Sequence, residues 1–462
     1  MDSYNRRIRF RGKLDRSLYP TYSGLDDDFQ NDSLHPELIE QPLLAWGMTQ
    51  SELAKDPSAR IDVLYGRELA LTWRYGVDDK SLENILANAS QPENKSQRYV
   101  QMIFINTMNS RIGWLPGNFS LQLSTIRILK KAGLSAVILA SVYDPEGTWA
   151  KMGNQCFQRY DNDGSLSSFE IAYRYSCGWD SDTGTGFTQF TRTRNLRTYF
   201  CINYPSAALD RFKENIKRTP SLIYRDFFLD ALCEDDCLKG WQHSISERRE
   251  LLVDYERRHE HGDFDFNVTS VELHRMSRDW HTLGQDCLDV HAQLLYLKAS
   301  YKKYVELLTD AKNGWEVDRT SDMGNSLRVL ASQCDNYARW TVVYRDRTII
   351  RINLLFHLAN QREAQTNTQI AASTAKVAEQ TQRDSASMIT IAAVTMVFLP
   401  GTFISAILST TFFDYGADGV SVSKTWWILP ATTIPLTVLV FGIWLGWRYL
   451  KLGRANLNSK FL

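Results

Sequence analysis

Two stretches near the C-terminus carry no Asp, Glu, Lys or Arg: residues 388–413 and residues 426–447. Each exceeds the roughly 18 residues that an apolar helix needs to cross a membrane. Trp426 and Trp447 lie at the two ends of the second stretch, as in the aromatic belt of a spanning helix. A buried helical hairpin of a soluble domain is the alternative, but such helices rarely run this long without a charge. The pattern therefore predicts two membrane spans.

Three long helical patterns cover residues 221–258, 268–311 and 326–412, and the third includes the first span. The third contains no proline before Pro400. At 1.5 Å per residue, an unbroken helix of this length would extend roughly 130 Å. No compact domain holds such a helix, so we expect a stalk that continues into the bilayer.

Residues 60–205 have a different pattern, in which short β-rich runs alternate with short helical ones. The β-rich runs include RIDVLYG, ALTWRYG, RYVQMIFINT, AVILASVYD and FEIAYRYS, and the helical patterns include SLENILANA and LQLSTIRILKKAG. This mixture predicts an α/β cytosolic domain, joined to a long helical stalk and two C-terminal transmembrane helices. The expected divisions are a partly disordered arm (1–59), the α/β domain (60–205), long helices (206–321), stalk and first span (322–413, span 388–413), an external loop (414–425), the second span (426–449) and a basic tail (450–462).

Cations flank the outer ends of the pair of spans, and acids lie in the link between them. The cations are Lys376 and Arg383 before the first span, and Arg448, Lys451, Arg454 and Lys460 after the second. The link holds only Lys424, with Asp414 and Asp418. The positive-inside rule then predicts a multi-pass protein with both termini in the cytosol. We expect the plasma membrane, with the mitochondrial inner membrane and the vacuole as alternatives.

Composition excludes several function classes. Lys and Arg together number 53, as do Asp and Glu, and this balance excludes a polybasic nucleic-acid binder. The seven cysteines form no CxxC pair and are expected to be reduced thiols facing the cytosol. Catalytic motifs such as GxSxG, GxxxxGK[ST] and HExxH are absent from the sequence, so we expect no enzyme.

Two short motifs have metal-binding and structural interpretations. Asp161 to Gly164 fits part of a calcium loop, but Arg159 occupies the first ligand position, and a hairpin turn is favoured. Cys233 and Cys237 are spaced as half a zinc site, yet no partner pair follows at zinc-finger spacing. We expect these cysteines in the core or on a helix surface.

The lower stalk and first span repeat every seven residues. Thr374, Thr381, Met388, Thr395 and Thr402 belong to one series, and a companion series offset by three includes Ile391. The seam of a coiled coil normally consists of apolar residues, whereas the seam formed by these series is largely polar. Hydroxyls on one stripe of a spanning helix either join helices or face water. The polar stalk favours a seam that several identical helices share around a wet axis.

The segment Phe398-Leu399-Pro400-Gly401-Thr402-Phe403-Ile404 resembles the F-[LM]-P-x-T-F-[IV] stretch of the CorA family of divalent-cation channels. The surrounding sequence is similar to the divergent eukaryotic, fungal-type branch of that family. The resemblance implies a homopentamer in membrane lipid, in which the first spans line a central pore for Mg²⁺ or a related ion such as Zn²⁺. It places along the pore Thr374, Thr381, Met388, Ile391, Thr395, Leu399 and Thr402.

The chain departs from that family at its Gly-Met-Asn signature. The matching positions are Ser409, Thr410 and Thr411, which are expected at the filter, while Asp414 and Asp418 would form an outer acidic ring. The function expected is a CorA-like transporter or channel with no cofactor besides its transported divalent cation, for which Mg²⁺ is the first candidate. The alternative, favoured by the missing signature, is a non-conducting scaffold or sensor anchored in the membrane.

Overall fold

The computed structural model describes residues 35–39, 44, 60–67, 70–89, 98–106, 121–143, 153–179, 185–261, 265–310, 315–316, 322–416, 419–422 and 424–458. The chain divides into two compact units, Met1–Leu355 and Phe356–Leu462. The expected arm at 1–59 falls mostly outside the described residues.

The first unit is built on one mixed sheet of seven strands. Its strands are β1 (Arg60–Arg67), β2 (Ala70–Arg74), β3 (Tyr99–Asn106), β4 (Gln155–Tyr160), β5 (Leu166–Ser176), β6 (Thr185–Thr193) and β7 (Leu196–Ile202). Their order is β2-β1-β3-β7-β6-β5-β4. Neighbouring strands are antiparallel except for β3 and β7, which are parallel and pair Ile103 with Phe200.

Helices cover both faces of this sheet. They are α1 (Asp79–Ala89), α2 (Leu123–Lys131), α3 (Ala136–Tyr143), α4 (Ser206–Arg218), α5 (Phe228–His261) and α6 (Phe266–Thr309). A further helix, α7 (Met323–Phe412), follows α6 in the chain. Side chains alternate across a strand, so Ile103 and Ile105 join the core beneath α1 to α3. Met102 and Phe104 join the opposite core with α4, α5 and α6. The predicted α/β fold with long helices is confirmed.

The three long helices match the three long sequence patterns, and within the first unit each buries one stripe. On α6 the buried positions recur every three or four residues, as in Leu273, Met276, Trp280, Leu283 and Cys287. This spacing keeps them on one side of a 3.6-residue helix. The third pattern forms a single helix, α7, which contains Pro400.

One prediction of local structure is wrong. AVILASVYD was expected to be β-rich, but Ala136–Tyr143 forms the helix α3. Ser135 accepts a hydrogen bond on Oγ from the Val137 amide, and buried Gln189 of β6 accepts one from the Ser135 amide at 2.8 Å. Those bonds begin a helix at Ser135, and burial of Ile138 and Leu139 against the sheet overrides the β-branched composition.

The Asp161–Gly164 segment is a turn, as favoured. The Gly164 amide donates to Asp161 O at 2.9 Å, and the Asp161 amide donates to Ser165 O at 2.8 Å. These bonds close the hairpin between β4 and β5, which pair antiparallel. Gly164 has a φ of +77°, which glycine adopts without steric cost.

A buried ion network joins the sheet to α6 and to the turn before α5. Arg197 of β7 donates to Asp226 Oδ1 at 2.7 Å, and Tyr304 of α6 donates to Asp226 Oδ2 at 2.6 Å. Arg192 of β6, which is fully buried, donates from Nε to the Tyr304 hydroxyl at 3.3 Å. A buried charge is tolerable only when it is paired and hydrogen-bonded, and here the carboxylate has both.

Two further carboxyls, Asp230 and Glu234, lie one turn apart on α5 and are fully buried. Asp230 accepts hydrogen bonds from the hydroxyls of Tyr173 at 2.8 Å and Tyr199 at 2.9 Å. Glu234 accepts one from Gln293 Nε2 at 2.6 Å. Burial raises the pKa of Asp230 to about 6 and the pKa of Glu234 to about 8. Glu234 therefore keeps its proton at neutral pH.

Replacing Glu234 with Gln should stabilise the fold at high pH. The unfolded carboxyl loses its proton near 4.5, whereas the folded one holds it to a pKa of about 8, so the free energy of unfolding of the wild type falls across that interval. Because Gln carries no proton to lose, Glu234→Gln should be more stable at pH 8 by on the order of 3 kcal/mol, with no gain at pH 4. Denaturant unfolding at both pH values measures this.

The matched control is Glu250→Gln, which replaces an exposed glutamate on the same helix and should not give the gain in stability at pH 8. Residual pH dependence from Asp230 is expected in both variants. Equal stability of wild type and Glu234→Gln at pH 8 would contradict a proton held by Glu234.

Candidate functional site

Two described helices are long and apolar enough to cross a membrane. One is the C-terminal part of α7 and the other is α8 (Ile428–Asn458). The apolar segments of both helices are almost entirely exposed in the chain. A core helix of a soluble domain would bury such a segment, whereas these expose it. Two exposed apolar helices support a membrane location.

The structure places every predicted pore-lining residue on α7, and all are exposed in the chain: Thr374, Thr381, Met388, Ile391, Thr395, Leu399 and Thr402. Met388 is 72% exposed, Ile391 64% and Leu399 69%. Since α7 is continuous over this segment, residues seven apart occupy nearly one face. Whether that face lines a pore stays a prediction.

The threonine hydroxyls on this face turn back to their own helix. Thr381 donates to Val377 O at 2.8 Å, Thr395 to Ala392 O at 2.9 Å and Thr402 to Leu399 O at 3.0 Å. A hydroxyl has one proton and two acceptor lone pairs, so the proton is used within the helix. What each hydroxyl can still offer a neighbour is an acceptor oxygen, which suits a cation or the hydrogens of its water.

The α7 backbone comes close to α8 at Gly401. A Cβ atom at this glycine would lie 3.5 Å from Cγ2 of Thr433, which is ordinary van der Waals contact. Pro400 precedes it inside the helix and is buried. Because proline has no amide proton, the Met396 carbonyl loses its usual helical donor. The hydroxyl oxygen of Thr433 is buried and has no hydrogen-bond partner within the described part of the chain.

Sequence reasoning missed this contact. Gly442 and Gly446 have the GxxxG spacing that lets membrane helices approach closely, but a Cβ at either glycine would meet nothing within 4 Å in the described part of the chain. The Pro-Gly pair followed by a hydroxyl residue could have indicated this helix contact. Proline interrupts the helical hydrogen bonds, and glycine has no side chain to keep a second helix away.

The expected filter residues lie where α7 ends. Ser409, Thr410 and Thr411 belong to its last turn. Asp414 lies in the short strand β8 (Phe413–Gly416), where it pairs with Ser421 of β9 (Gly419–Val422). Asp418, the other predicted member of the acidic ring, lies outside the described residues.

Aromatic and cationic side chains mark the ends of the apolar segments. Trp426 is 61% exposed and Trp427 is 59% exposed, at the start of α8. Arg448 lies over the Trp444 ring at 5.4 Å from its centroid. Arg383, before the first apolar segment, forms an exposed ion pair with Glu379 at 2.7 Å. Exposed pairs of this kind stabilise little, but the glutamate offsets part of the local positive charge.

No group of three or more His, Cys, Asp or Glu side chains that could hold a metal ion occurs among the described residues. Cys233 and Cys237 are buried in the main core, as expected. The hydroxyl oxygens on α7 are among the groups in the described part of the second unit that could contact a cation.

Comparison with known proteins gives a short local match and remote structural likenesses. No protein-family model matches the chain. A stretch of 62 residues is 47% identical to "Notoamide biosynthesis cluster protein M'" of Aspergillus versicolor, and covers 12% of this chain and 13% of that protein. The match therefore spans a small fraction of the length of that curated relative.

Three solved structures align with most of the chain at low identity. Full-length CmaX aligns with 84% of this chain and 98% of its own, at 12% identity and a TM-score of 0.37. The CorA magnesium transporter of Methanocaldococcus jannaschii aligns with 83% of this chain and 96% of its own, at 13% identity and a TM-score of 0.32. The ZntB cytoplasmic domain of Vibrio parahaemolyticus aligns with 65% of this chain and 99% of its own, at 8% identity and a TM-score of 0.35.

Proposed function

We propose that the chain is a subunit of a CorA-like membrane channel or transporter for divalent metal cations. The observation that carries this proposal is the exposed α7 face, on which Thr395 and Thr402 keep acceptor oxygens within an apolar helix. Thr402 belongs to the Phe398–Ile404 stretch that resembles the pore segment of the CorA family. A helix facing only lipid gains nothing from such a row of oxygens.

The chemistry of these oxygens suits a hydrated cation. Mg²⁺ sheds its water reluctantly, so a pore can pass it by holding the hydration shell. The hydrogens of that shell point outward, and a hydroxyl whose own proton is already donated to the helix can accept them. Carboxylates at Asp414 and Asp418 would concentrate cations at the outer mouth by their field.

A pore needs several copies of the chain. One pair of helices encloses no water path in a membrane, whereas a ring of identical α7 helices does. We propose five copies, with Met388, Ile391, Thr395, Leu399 and Thr402 facing the axis, and both termini in the cytosol.

The second candidate is a non-conducting scaffold or sensor in the membrane. It is favoured by Ser409, Thr410 and Thr411, which stand where the CorA family carries Gly-Met-Asn. Hydroxyls would hold a hydration shell less strongly than amides and carbonyls. Flux measurements separate the two candidates.

The topology can be tested by labelling in intact cells. With both termini in the cytosol, a cysteine at Ala417, between the spans, should react with an impermeant thiol reagent applied outside. A cysteine at Ser459 should react only after permeabilisation. Labelling of Ser459→Cys but not of Ala417→Cys in intact cells would contradict the orientation.

The assembly can be tested by native mass spectrometry in mild detergent. We expect a species of five chains, since the exposed apolar and hydroxyl face of α7 needs partners. Chemical crosslinking in membranes provides the control for detergent effects. Monomers and dimers alone in both measurements would remove the pentamer and most of the case for transport.

The pore can be tested by replacing Thr402 with Val, which keeps the branched shape but removes the oxygen. Loss of one hydroxyl–water hydrogen bond, worth about 1 kcal/mol, should lower Mg²⁺ flux into liposomes by roughly fivefold or more, since a ring loses several. Assembly should be unchanged, because the hydroxyl of Thr402 bonds only its own helix among the described contacts.

Thr437→Val is the matched control. Thr437 lies on α8 and also donates to its own helix, to Thr433 O at 2.8 Å, so its replacement should leave flux nearly unchanged. Wild-type flux equal to that of empty liposomes for Mg²⁺, Zn²⁺, Co²⁺ and Ni²⁺ would favour the scaffold instead.

A further inference from the structure

Three thiols meet in the core where the end of β5 packs against α5. Cys177 follows β5, and Cys233 and Cys237 lie one turn apart on α5. Their exposed fractions are 2%, 0% and 1%. The sulfur atoms of Cys177 and Cys237 are 3.1 Å apart. All three are free thiols in the structure.

Backbone contact holds the two elements together at this point. A Cβ atom at Gly240 would lie 2.0 Å from Cys177 O, and one at Gly178 would lie 2.9 Å from Gly240 O. Only glycine allows such an approach, and Gly178 also has a φ of +98°. The backbones of the strand end and of the helix are therefore in direct contact, with Cys177 at the end of the strand and Cys237 on the helix.

Two hydrogen bonds fix the same segment. Trp241 of α5 donates from Nε1 to Ser176 O at 2.9 Å. The Trp179 amide donates to Ser244 Oγ at 3.4 Å. Since these bonds flank Cys177 on both sides, the short distance between the sulfur atoms is built into the packing of β5 on α5.

We propose that Cys177 and Cys237 form a reversible disulfide that links the end of β5 to α5. The sulfurs need to approach by about 1 Å to reach bonding distance. This proposal concerns the first unit alone and does not depend on cation transport.

The chemistry needs an oxidant, and a low-molecular-weight disulfide supplies it. The thiolate of one cysteine attacks a sulfur of the small disulfide, giving a mixed disulfide and releasing one small thiolate. The second cysteine, as thiolate, attacks the protein sulfur of that mixed disulfide and releases the other small thiolate. Two protein thiols lose two protons and two electrons, and one small disulfide is reduced to two thiols.

Burial sets the rate of this reaction. Burial raises the pKa of Cys237, and the bond to Cys237 together with burial raises the pKa of Cys177, so little thiolate is present at neutral pH. The reagent must also reach sulfurs that are almost fully covered. Oxidation should therefore be slow and should follow local opening of the segment between β5 and α5.

The bond would constrain the middle of the first unit. The chain between Cys177 and Cys237 contains β6, β7 and α4. Crosslinking its ends reduces the freedom of the unfolded chain, so the unfolding midpoint should rise by about 5 °C.

The test equilibrates the purified full chain with oxidised glutathione in urea too dilute to change its far-ultraviolet circular dichroism. The protein is then denatured, alkylated and digested, and the peptides are weighed. We expect two fewer alkylated thiols, a linked peptide pair containing Cys177 and Cys237, and recovery of both thiols with dithiothreitol.

Cys237→Ser should abolish the link, and Cys177→Ala serves if that variant does not fold. The matched control is Cys201→Ala, which removes another fully buried thiol and should keep the link. Complete alkylation of all seven cysteines at equilibrium, or links that join Cys233 rather than this pair, would overturn the proposal.

Discussion

The pairing of Asp226 underlies the packing of the first unit. This one carboxylate holds Arg197 of β7 and Tyr304 of α6, and Tyr304 in turn accepts from Arg192 of β6. Both arginines are at least 98% buried, with exposed fractions of 0% and 2%. Without Asp226, two guanidinium groups would lack their buried counter-charge, a loss of about 3–5 kcal/mol for a broken buried pair. The position of α5 and α6 on the sheet therefore depends on an electrostatic constraint as well as on apolar burial.

Length and periodicity made the helical part of the fold predictable. The patterns at 221–258, 268–311 and 326–412 correspond to α5, α6 and α7. Apolar residues that recur with a period of 3.6 residues over such a length fit a helix and do not fit a strand. The strand prediction for AVILASVYD was wrong because a short run of almost continuous apolar residues shows neither the helical nor the strand periodicity. The hydrogen bonds of Gln189 to Ser135 and Gly133, from a strand over fifty residues away in sequence, then favour the helix.

The candidate site was predictable in position but not in detail. A seven-residue repeat placed Thr395 and Thr402 on one face of α7 without any knowledge of side-chain rotamers. The repeat could not indicate that these hydroxyls donate to Ile391, Ala392 and Leu399, which decides that they offer acceptors. Nor could it identify Gly401 as the contact with Thr433, since that depends on which helix lies alongside.

The parallel pairing of β3 with β7 has a consequence for how the chain is made. Ile103 pairs with Phe200, so the interior strand β3 is synthesised about 100 residues before its partner β7. Seven of its eight residues are buried in the folded sheet, from Tyr99 to Ile105. Until β7 is synthesised, this strand can pair with β1 on one side only, and its other edge has unpaired backbone N–H and C=O groups between two apolar faces. Nascent chains of this length are therefore the stage at which edge-to-edge aggregation competes with folding, and the stage at which a chaperone has most to protect.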